Sequence, residues 1–242
     1  MWNNKLDTGE LLKRLEKPKG IIDVVIDTDT YNEIDDQFAL AYLIKSEEKL
    51  RLKAIYATPF FNHRSNNPED GMERSFKEIH KILTLMEREE FKSVTYKGSK
   101  NYLTDESKPV DSPAARDLVE RAMMQDETKP LYVVAIGALT NVASAILMRP
   151  EIIKKIVVVW LGGNALEWPN NLEFNACQDV SAARVVFECG VPMVQLPCMG
   201  VVSAFATTKP ELEYWLKGKN QLSDYLVENK IQEAKYCEKF KC

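Results

Sequence analysis

Five carboxylates fall within ten residues of this chain: Asp27, Asp29, Glu33, Asp35 and Asp36. Like charges that close repel one another unless a cation neutralises them, and carboxylate oxygens suit a hard cation, Ca²⁺ or Mg²⁺. The spacing is not that of an EF-hand. Counted from Asp27, position six is Asn32 where glycine is needed, and position twelve is Phe38 where glutamate is needed. A polar loop with several acids is most often only solvated, and Asp35 alone would read as a helix cap. The flanking residues argue for a metal or substrate site instead.

Those flanks are a strand and a helix. Residues 21–26 form a short apolar run rich in β-branched side chains, long enough for a buried strand and too short for a helix. From Asp35 onward, Phe38-Ala39-Leu40-Ala41-Tyr42-Leu43-Ile44 suits a buried helix with an acidic first turn. In an open parallel sheet, the loop after a strand's carboxyl end is where ligands bind.

Further strands are expected over 50–58, 94–96, 131–136, 156–161 and 191–196. Met72, Phe76, Ile79, Leu83 and Met86 mark one face of a helix packed on the sheet, with His80 beside the stripe as a structural or solvated residue. Ser112-Pro113 opens a helix to about Met124. Helices are also expected over 8–17, 180–188 (capped by Asp179), from Pro210, and over 223–236. Gly137 follows the fourth buried strand, in a tight turn where the backbone can approach a ligand. The fold class expected is α/β, an open, mostly parallel Rossmann-like sheet with helices on both faces. At 242 residues and 45% hydrophobic, the chain makes one domain, residues 1–242.

Composition excludes other classes. A net charge of −4 gives no electrostatic case for nucleic acid binding. No apolar run reaches membrane-spanning length, and Met1-Trp2-Asn3-Asn4-Lys5 lacks a signal peptide's apolar region. The five cysteines (Cys177, Cys189, Cys198, Cys237 and Cys242) have no Cys-x-x-Cys spacing and no His nearby, which fits reduced thiols in the cytoplasm.

Three motifs carry a resemblance. Asp27-Thr28-Asp29 followed by Asp35-Asp36-Gln37-Phe38-Ala39 resembles the amino-terminal signature of the inosine–uridine-preferring nucleoside hydrolase family. The loop is two residues longer than the commonest form, as in a recognisable subgroup. Gly137-Ala138-Leu139-Thr140-Asn141 is similar to the family's Gly-x-Leu-Thr-Asn motif, and Glu173-Phe174-Asn175, ten residues after Gly162-Gly163, to its second signature. The resemblance implies calcium-dependent hydrolysis of the N-glycosidic bond of a ribonucleoside to ribose and free base. It implies a metal held by Asp29, Asp36 and the Ile136 carbonyl, and Asp29 as general base. It implies a ribosyl substrate gripped by Asp35, Glu173 and Asn175, with Asn171 and Asn62 as further contacts; Asn62 reads equally well as a turn residue. Family members usually continue with a segment bearing one more metal-ligating Asp and, in several branches, a His. Here no Asp follows Asp224, and the only histidines are His63 and His80. The expectation is therefore a domain incomplete at its carboxyl end, a weakly active enzyme with loosely held calcium, and a homo-oligomer formed through the sheet face so uncovered. Two alternatives stand beside it: a haloacid-dehalogenase-type phosphatase, whose nucleophile motif Asp27-Thr28-Asp29 also fits, and a non-catalytic nucleoside- or sugar-binding protein.

Overall fold

The computed structural model describes Trp2 and residues 5–240, with residues 236–240 as backbone alone. Six strands form one sheet: β1 (Ile22–Thr28), β2 (Leu50–Ala57), β3 (Thr95–Lys97), β4 (Leu131–Ala135), β5 (Ile156–Leu161) and β6 (Met193–Leu196). Their order is β3-β2-β1-β4-β5-β6, and every pairing is parallel. Parallel neighbours need crossovers, which the helices supply. These are α1 (Thr8–Leu15), α2 (Asp35–Lys45), α3 (Pro68–Leu85), α4 (Pro113–Met124), α5 (Thr140–Met148), α6 (Phe174–Gln178), α7 (Val180–Cys189), α8 (Lys209–Leu216) and α9 (Gln221–Phe240).

Side chains alternate across each strand, so β1 feeds two cores. Val25, with Val133 and Val158, packs against Leu118 of α4, Val142 and Ile146 of α5 and Val185 of α7. Val24 and Ile26 pack against Leu40 and Ile44 of α2, Ile79 and Leu83 of α3, and Leu222 and Leu226 of α9. Each such fully buried aliphatic side chain contributes roughly 1.5–3 kcal/mol. The second face is covered unevenly. Tyr132, Val134, Val159 and Val194 line an apolar cleft of about 310 Å³ against the end of α1.

Helix starts follow local chemistry. Ser112 accepts from the Ala115 amide ahead of Pro113, as the sequence predicts, and Asn67 caps α3 in the same way. α2 begins at Asp35 with an acidic first turn, as expected, and Ile34 holds the cap position without a side-chain hydrogen bond. One local expectation changes. The first strand runs on to Thr28, because its pairing with β2 continues to Ala57 and with β4 to Ala135. Asp27 is thus a strand residue, not a loop residue. His80 is half-buried and stacks on Phe76 at 4.5 Å. Cys177, Cys189 and Cys198 are free thiols, while Cys237 and Cys242 lie outside the described side chains. Among the described residues no helix is long and apolar enough to cross a membrane.

Candidate active site

The strand order reverses between β1 and β4, so a crevice opens at their carboxyl ends. Asp29 and Ile136 are the residues that follow at this switch point. The Ile136 amide donates to the Asp27 carbonyl at 2.9 Å, which holds the two strand ends together. Gly137 lets Asp29 approach: a Cβ there would lie 3.2 Å from the Asp29 carboxyl and 2.5 Å from Thr58 Cγ2. The Trp160 indole donates to the Gly137 carbonyl at 3.0 Å and fixes the turn from the β5 side.

Asp29 and Asp36 are 2% and 5% exposed, and their carboxyls are hydrogen-bonded to each other. Burial pushes Asp29 up to about 8; the carboxylates of Asp35 and Glu33 raise it further, against the hydrogen bond from Asp36. Burial also drives Asp36 well above the carboxylate range, followed by repulsion from Asp29 and Asp35. The Thr28 hydroxyl donates to Asp36 Oδ2 at 2.5 Å, while Asp29 Oδ2 is buried without a partner. A buried, unsatisfied carboxylate oxygen is costly to leave as it is. One residue before Gly137, the Ile136 carbonyl accepts from Asn175 Nδ2 at 3.1 Å and, having two lone pairs, retains a free acceptor site. Two buried carboxylates and a backbone carbonyl are the donor types a hard divalent cation takes. Among the described residues no three His, Cys, Asp or Glu side chains are placed to hold a metal by themselves. A cation here would therefore complete its shell with water or substrate oxygens.

Glu33 and Asp35 are exposed at the rim of the same loop. The Glu33 carboxyl is nonetheless partly shielded from water by the loop, and that desolvation, followed by the charges of Asp35 and Glu233, raises it. Cys198, on the loop after β6, forms the opposite lip: burial raises its thiol, followed by the charges of Glu173, Glu33 and Asp35. Asn62 is half-buried. Its Nδ2 donates to Asn32 Oδ1 at 2.6 Å, and its Oδ1 accepts from the Arg64 amide at 2.8 Å. It is a turn residue that also ties the loop after β2 to the acidic loop.

The second signature is built differently. Glu173 Oε2 accepts from the amides of Gly163 at 2.7 Å and Ala176 at 3.0 Å, and Oε1 from the amide of Asn175 at 3.0 Å. It caps α6, a short helix that is not among the elements expected from the sequence. Asn175 Nδ2 donates to the carbonyls of Ile136 and Leu161, joining β4 and β5 below the crevice. Asn171 is exposed, and its Oδ1 accepts from the Asn164 amide at 2.5 Å. Glu173 and Asn175 therefore lie at the crevice but spend hydrogen bonds on the main chain.

Several supporting residues take roles that the sequence reading does not assign. Asn141 Nδ2 donates to Asp27 Oδ1 at 2.8 Å, and its Oδ1 accepts from the Ser99 amide and hydroxyl. Burial pushes Asp27 up to about 7 despite that hydrogen bond. Asp179 caps α7 as expected, and its Oδ2 also accepts from Thr140 Oγ1 and the Leu103 amide. Gln178 Oε1 accepts from the Phe61 amide at 2.7 Å and from the Tyr102 hydroxyl. The available signal for Thr140 and Asn141 is their place in the Gly-x-Leu-Thr-Asn motif; Gln178 and Tyr102 carry none.

Comparison with known proteins follows the geometry. The model of the inosine-uridine preferring nucleoside hydrolase family matches residues 24–240. The chain is 29% identical over 133 residues to a probable uridine nucleosidase of Arabidopsis thaliana, a match covering 53% of this chain and 40% of that protein. It is 37% identical over 86 residues to a pyrimidine-specific ribonucleoside hydrolase of Escherichia coli, covering 34% and 27%. The matched stretches thus span less than half of either relative's length. Among solved structures, a purine-preferring ribonucleoside hydrolase from Gardnerella vaginalis superposes with a TM-score of 0.71 at 24% identity, covering 90% of this chain and 73% of that one. The type III effector XopQ, complexed with adenosine diphosphate ribose, superposes with a TM-score of 0.65 at 16% identity, covering 93% and 70%. Likeness at those identities shows the fold.

Proposed function

This chain belongs to the inosine–uridine-preferring nucleoside hydrolase family, and we propose that it hydrolyses the N-glycosidic bond of a ribonucleoside to ribose and a free base. The observation that carries the reading is the Asp29–Asp36 pair, two buried carboxyls at the switch point with one oxygen unsatisfied. Family membership decides against the phosphatase alternative.

In this reading Asp29, Asp36 and the Ile136 carbonyl would hold a calcium ion. When bound, the cation neutralises the pair, orients a water molecule and lowers its pKa. Asp29 would take the proton of the attacking water as general base. The water oxygen bonds to the anomeric carbon, the carbon–nitrogen bond breaks with its electron pair going to the base, and the base takes a proton from solvent while Asp29 gives its own back to solvent. Asp35, on the exposed rim of the loop, receives ribose hydroxyls and orients the sugar. Glu173 and Asn175 hold the floor of the crevice through their main-chain hydrogen bonds and offer their remaining polar capacity to the sugar. Asn62 and Asn171 contribute from the two flanking loops. Carboxylates around the ring stabilise positive charge developing on it, by analogy with glycosidases.

Three further parts of the reading rest on separate observations. Loose rather than tight calcium binding follows from a protein donor set of only two carboxylates and one carbonyl among the described residues, because ligand charge count sets affinity. Self-association is supported by the half-covered apolar face of β4 to β6. A cytoplasmic setting is supported by the free thiols of Cys177, Cys189 and Cys198 among the described residues. The test is reducing-sugar release from inosine and from uridine in calcium, beside phosphate release from a generic phosphomonoester. Sugar release that stops on chelation is the expected result. Phosphate release without sugar release would overturn the reading.

A further inference from the structure

A buried hydrogen-bond chain beneath the acidic loop ends on Asp36. Thr28 is the last residue of β1, and its carbonyl accepts from the Thr58 amide at 2.9 Å. Side chains alternate along a strand, so Thr28 shares the face of Val24 and Ile26, which α2 covers. Asp36 lies in the first turn of α2. The Thr28 hydroxyl therefore meets Asp36 Oδ2, at 2.5 Å. Behind it, Thr30 Oγ1 lies 2.8 Å from Thr28 Oγ1. Thr28 and Thr30 are fully buried and Asp36 nearly so, which keeps bulk water from competing.

The direction of the chain follows from its hydrogens. A threonine hydroxyl has one hydrogen and two lone pairs. Thr28 gives its hydrogen to Asp36, so Thr30 must give its own to Thr28. In the reverse direction the Thr30 hydrogen would need another acceptor, and among the described residues its hydroxyl bonds only to Thr28. A buried hydrogen without an acceptor is costly. Both side chains are β-branched and stiff about their first torsion. The Thr30 carbonyl also accepts from Nε2 of Gln37, the residue after Asp36, at 3.4 Å. The two carboxyls of the pair are thus unlike: a hydroxyl pins Asp36, whereas Asp29 Oδ2 has no partner. An ionised carboxyl has about four lone-pair sites, so the bond from Thr28 leaves room on Asp36 for a cation.

We propose that Thr28, backed by Thr30, is a positioning residue that holds the Asp36 carboxyl in the orientation in which it takes a divalent cation. This rests on the metal site of the proposed function, whereas the hydrogen-bond chain stands without it. A ligand fixed before the cation arrives loses less freedom on binding.

Calorimetric titration of calcium into the full chain and into Thr28→Val, Thr28→Ser and Thr30→Val tests this. Valine keeps the branched shape and removes the hydroxyl, while serine keeps the hydroxyl. Thr28→Val should weaken calcium binding at least about tenfold, and Thr28→Ser should stay within about threefold of the parent. Thr30→Val should fall between them, because it removes the donor behind Thr28 and leaves the bond to Asp36. A purely structural hydroxyl would lower the metal-free melting temperature of Thr28→Val and leave its calcium affinity at the parent's, which overturns the proposal. So does Thr28→Ser binding as weakly as Thr28→Val. If Thr28→Val does not fold, Thr30→Val decides, and parental affinity there overturns the proposal. Failure of the metal reading shows differently, as no calcium isotherm for the parent, and takes the proposal with it. Failure of the hydrolase reading alone shows as the expected order of affinities without sugar release from inosine or uridine.

Discussion

The acidic loop and the Glu173–Asn175 segment both place carboxyl and amide side chains at the same crevice, yet they are finished differently. Around Glu173 the protein's own groups meet each other: three amides on one carboxylate, two carbonyls on one side-chain amide. Around Asp29 they do not, because the nearest partner is another carboxyl and one oxygen has no partner at all. A satisfied carboxylate stabilises its own loop and helix. An unsatisfied pair stores repulsion that only a proton, a cation or a ligand relieves. Residues of one chemical type at one site are thus divided between holding the crevice and acting in it.

The largest effect expected from this contrast is on activity. Asp29→Ala should lower reducing-sugar release from the preferred nucleoside by about 10³-fold or more, with a metal-free melting temperature unchanged or raised. Turnover within tenfold of the parent would break the assignment of Asp29 as the base. Glu173→Ala should do the reverse. Leaving three amides without their acceptor should cost about 2–4 kcal/mol in urea unfolding. If stability hardly moves while sugar binding is lost, Glu173 acts chiefly on substrate and the contrast fails.

The pH dependence sharpens the same point. Burial raises Asp27 to about 7 and Asp29 to about 8, from an ordinary carboxylate value near 4 in the unfolded chain. The folded protein then holds protons that the unfolded chain releases, so metal-free stability is greatest below about pH 4 as far as these groups go, and falls as pH rises towards 8. Millimolar calcium should flatten that fall by binding the folded form. Stability that rises between pH 5 and 8 without metal would contradict the buried, repelling pair. The smallest effect concerns Asn62. Asn62→Ala should cost about 0.5–1.5 kcal/mol, the worth of its bond to Asn32. A rise in KM with no loss of stability would instead make it a sugar contact.

Much of this was legible in the chain. The β-branched run, the acidic stretch and the apolar helix after it announce β1, the loop and α2 through periodicity alone, and Ser112-Pro113 marks α4 to the residue. The paired acids stand out because five fall in ten residues. What was not legible depends on which main-chain groups end up without partners. The capping by Glu173 arises because α6 and the Gly163 turn present amides to it, and no spacing rule encodes that. The split between Asp27 and Asp29 likewise depends on how far β1 stays paired with its neighbours. The bond from Thr28 to Asp36 joins a strand end to a helix start, which only the folded chain brings together.

The most direct measurement is a calorimetric titration of calcium into the full chain and into Asp36→Ala. Asp36→Ala removes one carboxyl of the pair and leaves every hydrogen bond of Glu173 and Asn175 in place. The account predicts a specific calcium isotherm for the parent and none for the variant, with both melting as folded proteins. Equal calcium affinity in the two would contradict it and would place any cation this protein holds somewhere other than between Asp29 and Asp36.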